Sequence, residues 1–292
     1  LAPPFFPMTV NSQKRRFCLE LQEIIQNVVD GEIPHLTLDD TFQFQCNQCG
    51  KCCINDEIMV SVWDIVRIAN ALKMPSIEVC NNFIKFHIGE NTHFPIATLR
   101  MVHMHNPVTE DDFSFCPFLR FSDGGDKASC LIQSDKPFIC AVYPLGRGTF
   151  IDQKTGEIDQ FYFVQPITCG KTNGVPVKIR DWLNQYDLEG SDQATLDFTN
   201  FLSDLRGIVN LDMMSLNPDY DEETSDATKE LLAILMDELY GSYVPEDEPT
   251  NSVDSAHQIF SNVLELVSAF VKDYPQFAPV SLKSESLLSS QS

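Results

Sequence analysis

The chain has 292 residues, 43% of them hydrophobic, enough for one large domain or two smaller ones whose core closes without help from metal. Its 42 acidic against 20 basic residues give a net charge of -22, so the surface repels phosphate backbones and anionic membranes, and neither nucleic acid nor membrane is expected as a partner. No apolar run reaches the roughly 18 to 20 residues of a membrane span and no secretion leader is visible; the expected location is cytoplasmic, with Leu1 in place of Met leaving an upstream segment open.

Residues 1 to 9 carry Pro3, Pro4 and Pro7 and read as an extended arm. From Asn11 to Val29, Phe17, Leu21, Ile24, Ile25 and Val28 recur at three- and four-residue steps, the pattern of an amphipathic helix ended by Gly31 and Pro34. Thr41 to Gln45 alternates Phe42 and Phe44 with polar neighbours and predicts a short strand. It leads into Cys46, Cys49, Cys52 and Cys53, spaced C-x2-C-x2-C-C, with Gly50 able to turn the backbone. Cysteine binds metal as the thiolate, and zinc or an iron-sulfur cluster needs several thiolates converging from a tight turn, which two-residue spacers supply. Cysteines so close in one turn rarely have the Cα separation that a disulfide needs.

After the loop, Ser61-Val-Trp-Asp64 has the form of a capping box opening a helix through Leu72, which assigns Asp64 to capping rather than to ligation. Ser76 is expected to cap a second helix, Ile77 to Phe86, ended near Gly89, and the two helices are expected to brace the loop. Ile96 to His105 alternates as a strand with His103 and His105 on one face, read as an exposed polar face.

A second block of chemistry begins at Cys116-Pro117. A turn at Asp123-Gly-Gly125 makes Phe118 to Phe121 and Ala128 to Ile132 a hairpin presenting Cys116 and Cys130 near its two ends. Pro137 and Pro144 bracket Cys140. Phe150 to Gln165 is strand-like on either side of Thr155-Gly156 and delivers Cys169-Gly170, and Val177 to Tyr186 reads as a helix around Trp182. Of ten cysteines, Cys18 and Cys80 stand alone in helical apolar patterns. The other eight, Cys46, Cys49, Cys52, Cys53, Cys116, Cys130, Cys140 and Cys169, lie in or beside turns and are the expected metal ligands, enough for two tetrahedral sites or for one cluster and a second site. C-x2-C-x2-C with a remote Cys-Pro follows the cluster run of four-iron ferredoxins, so an iron-sulfur cluster, of 4Fe-4S type, is preferred over zinc or iron ions.

From Ser191 the cysteines stop. Phe198 to Leu211, Ala227 to Tyr240 and Ala256 to Val271 have apolar residues at helical steps, joined by acidic connections such as Pro245-Glu-Asp-Glu-Pro249, and suggest a helical appendage that covers the metal domain or binds a protein partner. Ser281 to Ser292 reads as a disordered tail.

Cys46 to Cys53, the helix around Trp63, Cys116-Pro117, Cys130, Lys136 to Pro144 and Cys169-Gly170 resemble the CxxCxxCC cysteine-cluster family, a zinc- or iron-chelating domain, over about Thr41 to Tyr186. Lys136 stands where the family usually has arginine, and Cys169-Gly170 where it has Cys-Pro-Gly. The resemblance implies metal binding. Its relatives include flagellin lysine N-methylase, which makes an S-adenosylmethionine-dependent protein lysine N-methylase an alternative, although no strand followed by a Gly-rich nucleoside loop is visible. A disulfide-stabilised secreted protein is a further alternative, and whether the chain is an enzyme is left open. The expected fold is α+β: an N-terminal arm and helix over 1–40, a cysteine-cluster metal-binding domain of short strands and helices over 41–190, an acidic helical region over 191–280 and the tail.

Overall fold

The computed structural model of the chain describes residues 27, 30–31, 33–54, 57–89, 92–107, 110–151, 158–165, 170–186, 188, 190–214, 221–246 and 251–279. The expected N-terminal arm, nearly all of the first helix, the Thr155-Gly156 turn and the C-terminal tail lie outside the described residues, as does Cys169. The fold is α+β, as expected.

Along the chain come β1 (Thr41–Gln45), β2 (Met59–Val60), α1 (Val62–Leu72), α2 (Ser76–Phe83), β3 (Ile84–Ile88), β4 (Pro95–Leu99), β5 (Val102–Asn106), β6 (Asp111–Phe115), β7 (Leu119–Phe121) and β8 (Ala128–Cys130). They are followed by α3 (Phe138–Val142), β9 (Leu145–Ile151), β10 (Ile158–Val164), β11 (Lys171–Lys178), α4 (Ile179–Asn184), α5 (Ser191–Ile208), α6 (Glu222–Gly241) and α7 (Ser252–Asp273).

These elements form two compact units, one from residues 1–58 with 99–189 and one from residues 59–98 with 190–292. The boundary differs from the expected unbroken 41–190 domain: α1 and α2 group with the C-terminal helices instead of bracing the cysteine loop within its own unit. The cause is visible in their partners. The Trp63 indole N–H donates to Ser252 Oγ at 2.8 Å, the Tyr243 hydroxyl to Asn70 Oδ1 at 2.7 Å and the Cys80 thiol to the Tyr240 carbonyl at 3.4 Å. A buried polar group must find a partner, and Trp63, Asn70 and Cys80 each find theirs in the C-terminal helical stretch.

The first unit is built from antiparallel pairs. β1 pairs with β11, with Phe42 opposite Val177; β9 pairs with β10, β5 with β6, and β7 with β8. In β1 the alternation predicted from sequence holds, with Phe42 and Phe44 buried and their neighbours exposed. The predicted 118–121 and 128–132 hairpin is β7–β8, with Leu119 opposite Cys130.

The second unit is mainly helical. Ser61 caps α1 through a reciprocal box, its hydroxyl accepting from the Asp64 amide at 3.1 Å while Asp64 Oδ2 accepts from the Ser61 amide at 2.8 Å. Phe94, Phe198, Phe201 and Phe260 meet in an aromatic cluster, with Phe201 stacked on Phe260 at 4.8 Å. Two expectations change here. Ser76 is the first residue of α2 rather than its cap, and its hydroxyl accepts from the Tyr243 amide at 2.9 Å. The helix expected through Phe86 ends at Phe83, because Ile84, Phe86 and Ile88 alternate and enter the three-stranded sheet β2-β4-β3. The single strand expected over 96–105 is two, β4 and β5, broken at Arg100 and Met101 and divided between the units. No described helix is long and apolar enough to cross a membrane.

Candidate metal centre

The cysteine loop leaves β1 with the Phe44 ring edge-on to Tyr143 at 5.7 Å and to Trp182 at 5.9 Å. Tyr143 directly follows α3, which carries Cys140, so one aromatic contact fixes both the entry to the loop and the exit from that helix. Within the loop, Gln48 at φ 55° and Gly50 at φ 73° reverse the backbone twice. The Gln48 amide donates to Cys46 Sγ at 3.4 Å, and the Cys53 amide closes a turn onto the Gly50 carbonyl at 3.0 Å. Glycine is required at position 50 for two reasons: its left-handed φ, and the 2.8 Å at which an added Cβ would meet the Ala128 side chain.

That close approach exists because the loop is stitched to the hairpin. The Ala128 amide donates to the Gln48 carbonyl at 2.7 Å, the Cys116 amide donates to the Cys53 carbonyl at 2.8 Å, and Ile54 bridges Phe115. Sequence positions more than sixty residues apart are thereby held backbone to backbone, which brings Cys116 and Cys130 to the loop.

The sulfurs act on one another. Cys52 and Cys53 Sγ are 4.0 Å apart. Two sulfurs on a tetrahedral zinc, with bonds of about 2.3 Å, stand about 3.8 Å apart, so this pair is already at coordination spacing. The Cys53 thiol is held far above its usual range by its contact with Cys52, by burial, and by the charges of Cys52, Cys116 and Cys140. Burial pushes Cys116 up to about 11, with Cys130 and Cys52 adding to it. Cys130 is raised by burial and by Cys52, against a downward pull from Lys136 and Arg120. Cys52 therefore acts on Cys53, Cys116 and Cys130 alike. Thiols that resist ionisation in this setting ionise more readily once a bound cation is added.

The remaining residues singled out from sequence lie elsewhere. Cys46 is exposed and Cys49 half-buried. Gly170, next to Cys169, has φ 88° and packs against the Phe44 ring, so the backbone just after that cysteine sits beside β1. His103 lies exposed opposite Ser114, and His105 Nδ1 is 2.9 Å from Asp112, an exposed polar face as expected. Cys80 is in the other unit, bonded to Tyr240.

Among the described residues no group of three or more His, Cys, Asp and Glu side chains is close enough to hold a metal ion, and no disulfide links any two of the cysteines. What the first unit does hold is one pair of sulfurs at coordination spacing, Cys52 and Cys53, whose chemistry fits a thiophilic cation. Sequence reasoning did not find the roles of Lys136 and Arg120 beside Cys130, nor the Phe44–Tyr143–Trp182 contacts; only the aromatic content around the cysteines pointed that way. The open cleft beside β1, about 370 Å³ and bordered by Phe44, Gln45, Val177 and Trp182, is lined by no thiol.

No curated protein and no solved structure matches the chain. Residues 45–170 match the family model CxxCxxCC, described as a putative zinc- or iron-chelating domain. That stretch includes all eight of the cysteines read from the sequence as ligands, and over it the chain is similar to that family.

Proposed function

We propose that the chain is a cytoplasmic metal-holding protein whose ligands are Cys46, Cys49, Cys52, Cys53, Cys116, Cys130, Cys140 and Cys169, with an iron-sulfur cluster preferred over zinc or iron ions. The observation that carries the reading is the mutual influence of Cys52, Cys53, Cys116, Cys130 and Cys140, sulfurs drawn from three separate stretches of chain. A cation bound among them would offset the charge these thiols acquire on ionising. Iron is preferred because three cysteines at two-residue steps with a Cys-Pro elsewhere suit a cluster.

An iron-sulfur group would supply one-electron chemistry, and zinc would supply a cross-link. The chain's own part is to bury Cys116, to hold the loop against the hairpin through the Gln48–Ala128 and Cys53–Cys116 backbone bonds, and to set Lys136 and Arg120 near Cys130. The acidic helical unit is proposed as the surface for a protein partner.

The test is elemental analysis with visible absorption on protein purified without oxygen. Iron and acid-labile sulfide in stoichiometric amounts, with a broad brown absorption, is the expected result. A colourless protein with stoichiometric zinc would assign zinc instead, and a protein that takes up neither metal would overturn the reading.

A further inference from the structure

The β5–β6 hairpin carries a second group of metal-ligating side chains in the first unit, and none of them is a cysteine. β5 pairs antiparallel with β6, with His103 opposite Ser114 and His105 opposite Asp112. Strand alternation puts His103 and His105 on one face and Met104 on the other, and both histidines are exposed. Across the ladder His105 Nδ1 lies 2.9 Å from Asp112 Oδ1. A carboxylate only accepts, so the imidazole donates from Nδ1 and keeps the lone pair on Nε2, on the far side of the ring. A carboxylate that fixes ring and tautomer in this way is the usual support of a histidine that ligates metal. His257 also stands near a carboxylate, Asp197, but at 3.7 Å, and α7 carries no second histidine.

We propose that His103 and His105 form a two-histidine site for a divalent ion of the borderline class (copper, nickel or zinc), with His105 oriented by Asp112 and the remaining positions filled by water. Same-face neighbours on a strand are about 6.8 Å apart at Cα, and two nitrogens on one ion, with bonds of about 2.1 Å, stand about 3.4 Å apart. Imidazole rings that lean toward each other cover the difference. Imidazole suits these ions, whereas magnesium and calcium take oxygen. Two protein ligands agree with the absence of any larger donor group among the described residues, and they leave the ion open to exchange. Asp112 is a positioning residue: it touches the ring and not the ion. The site draws on no cysteine, so it stands whether or not the cysteines hold metal.

The test is calorimetric titration of Ni2+ into the full chain, purified with its resident metal and treated with iodoacetamide so that accessible thiols take no part. One equivalent should bind the wild type with Kd below about 0.1 mM. His103→Ala and His105→Ala should each weaken binding at least tenfold, and His257→Ala should leave it unchanged. Asp112→Asn should weaken it about tenfold at the same stoichiometry, with Asp112→Glu recovering most of the loss. These side chains are exposed, so the variants are expected to keep the far-ultraviolet circular dichroism of the wild type. A wild type that takes up no Ni2+ under these conditions, or His103→Ala binding as the wild type does, would overturn the site. Equal loss in His257→Ala would put the ion elsewhere and overturn it as well. Asp112→Asn indistinguishable from the wild type would overturn the orienting role.

Discussion

The two units solve the problem of stability in different ways. The helical unit buries long amphipathic faces: Leu231, Leu235 and Leu239 on α6 and Val263 and Val267 on α7 are fully buried, and its one sheet has three strands. Among the described residues the cysteine unit has four sheets of two strands each, an arrangement that is marginal in water without something to hold it. Its backbone bonds between loop and hairpin supply part of that hold. A core closed by apolar burial is expected to stand without metal, and a set of ribbons is expected to lean on a cross-link.

Removing the metal should therefore separate the units most clearly. Chelation of the loaded protein is expected to cost β7 and β8 at least tenfold in hydrogen-exchange protection, while α5, α6 and α7 keep theirs. Equal loss in the helices would end the contrast. The opposite cut is Leu231→Ala, at a residue with 0% exposure: about 3 kcal/mol should be lost from the helical unit in denaturant unfolding, with metal content per chain unchanged. Gly50→Ala strikes the loop instead. Its left-handed φ and the approach of Ala128 should cost about 2 kcal/mol, read as roughly thirtyfold weaker metal retention with the helical signal unaffected.

Alkaline titration sharpens the contrast by a smaller amount. The buried Cys80 thiol is raised from 9.0 to about 12, so the folded helical unit keeps that proton while the unfolded chain releases it above pH 9. The stabilisation is complete below pH 9 and is lost as pH rises toward 12, about 1.4 kcal/mol by pH 10. Tyr240, also raised by burial, adds to the loss at still higher pH. Unfolding midpoints of the helical unit should fall between pH 8 and 10.5, and less steeply in Cys80→Ala. Metal binding runs the other way, since protons compete for thiolates and retention should weaken as pH falls. The smallest effect is Ser61→Ala, expected to cost about 1 kcal/mol by removing the hydroxyl that caps α1, with no change in metal content.

Much of this was legible in sequence where the signal is local. The Ser61–Asp64 box, the alternation in β1, the turn at Gly124-Gly125 and the three long C-terminal helices each need only a few neighbouring residues to be read. The failures are equally instructive. Ser76 looks like a helix cap but bonds to Tyr243, 167 residues away, and no local pattern contains that partner. Residues 84–88 continue a helical apolar pattern equally well as a strand, and the neighbouring β4 decides between them.

The sequence by itself determined the cysteines of the loop, their two-residue spacing and the glycine that lets them turn, because backbone sterics act over a few residues. Only the tertiary structure decided which sulfurs act together, because Cys116, Cys130 and Cys140 reach the loop through backbone bonds and aromatic contacts between distant stretches. It also decided that α1 and α2 belong with the C-terminal helices, since the acceptors for Trp63, Cys80 and Tyr243 are fixed by packing and not by proximity along the chain.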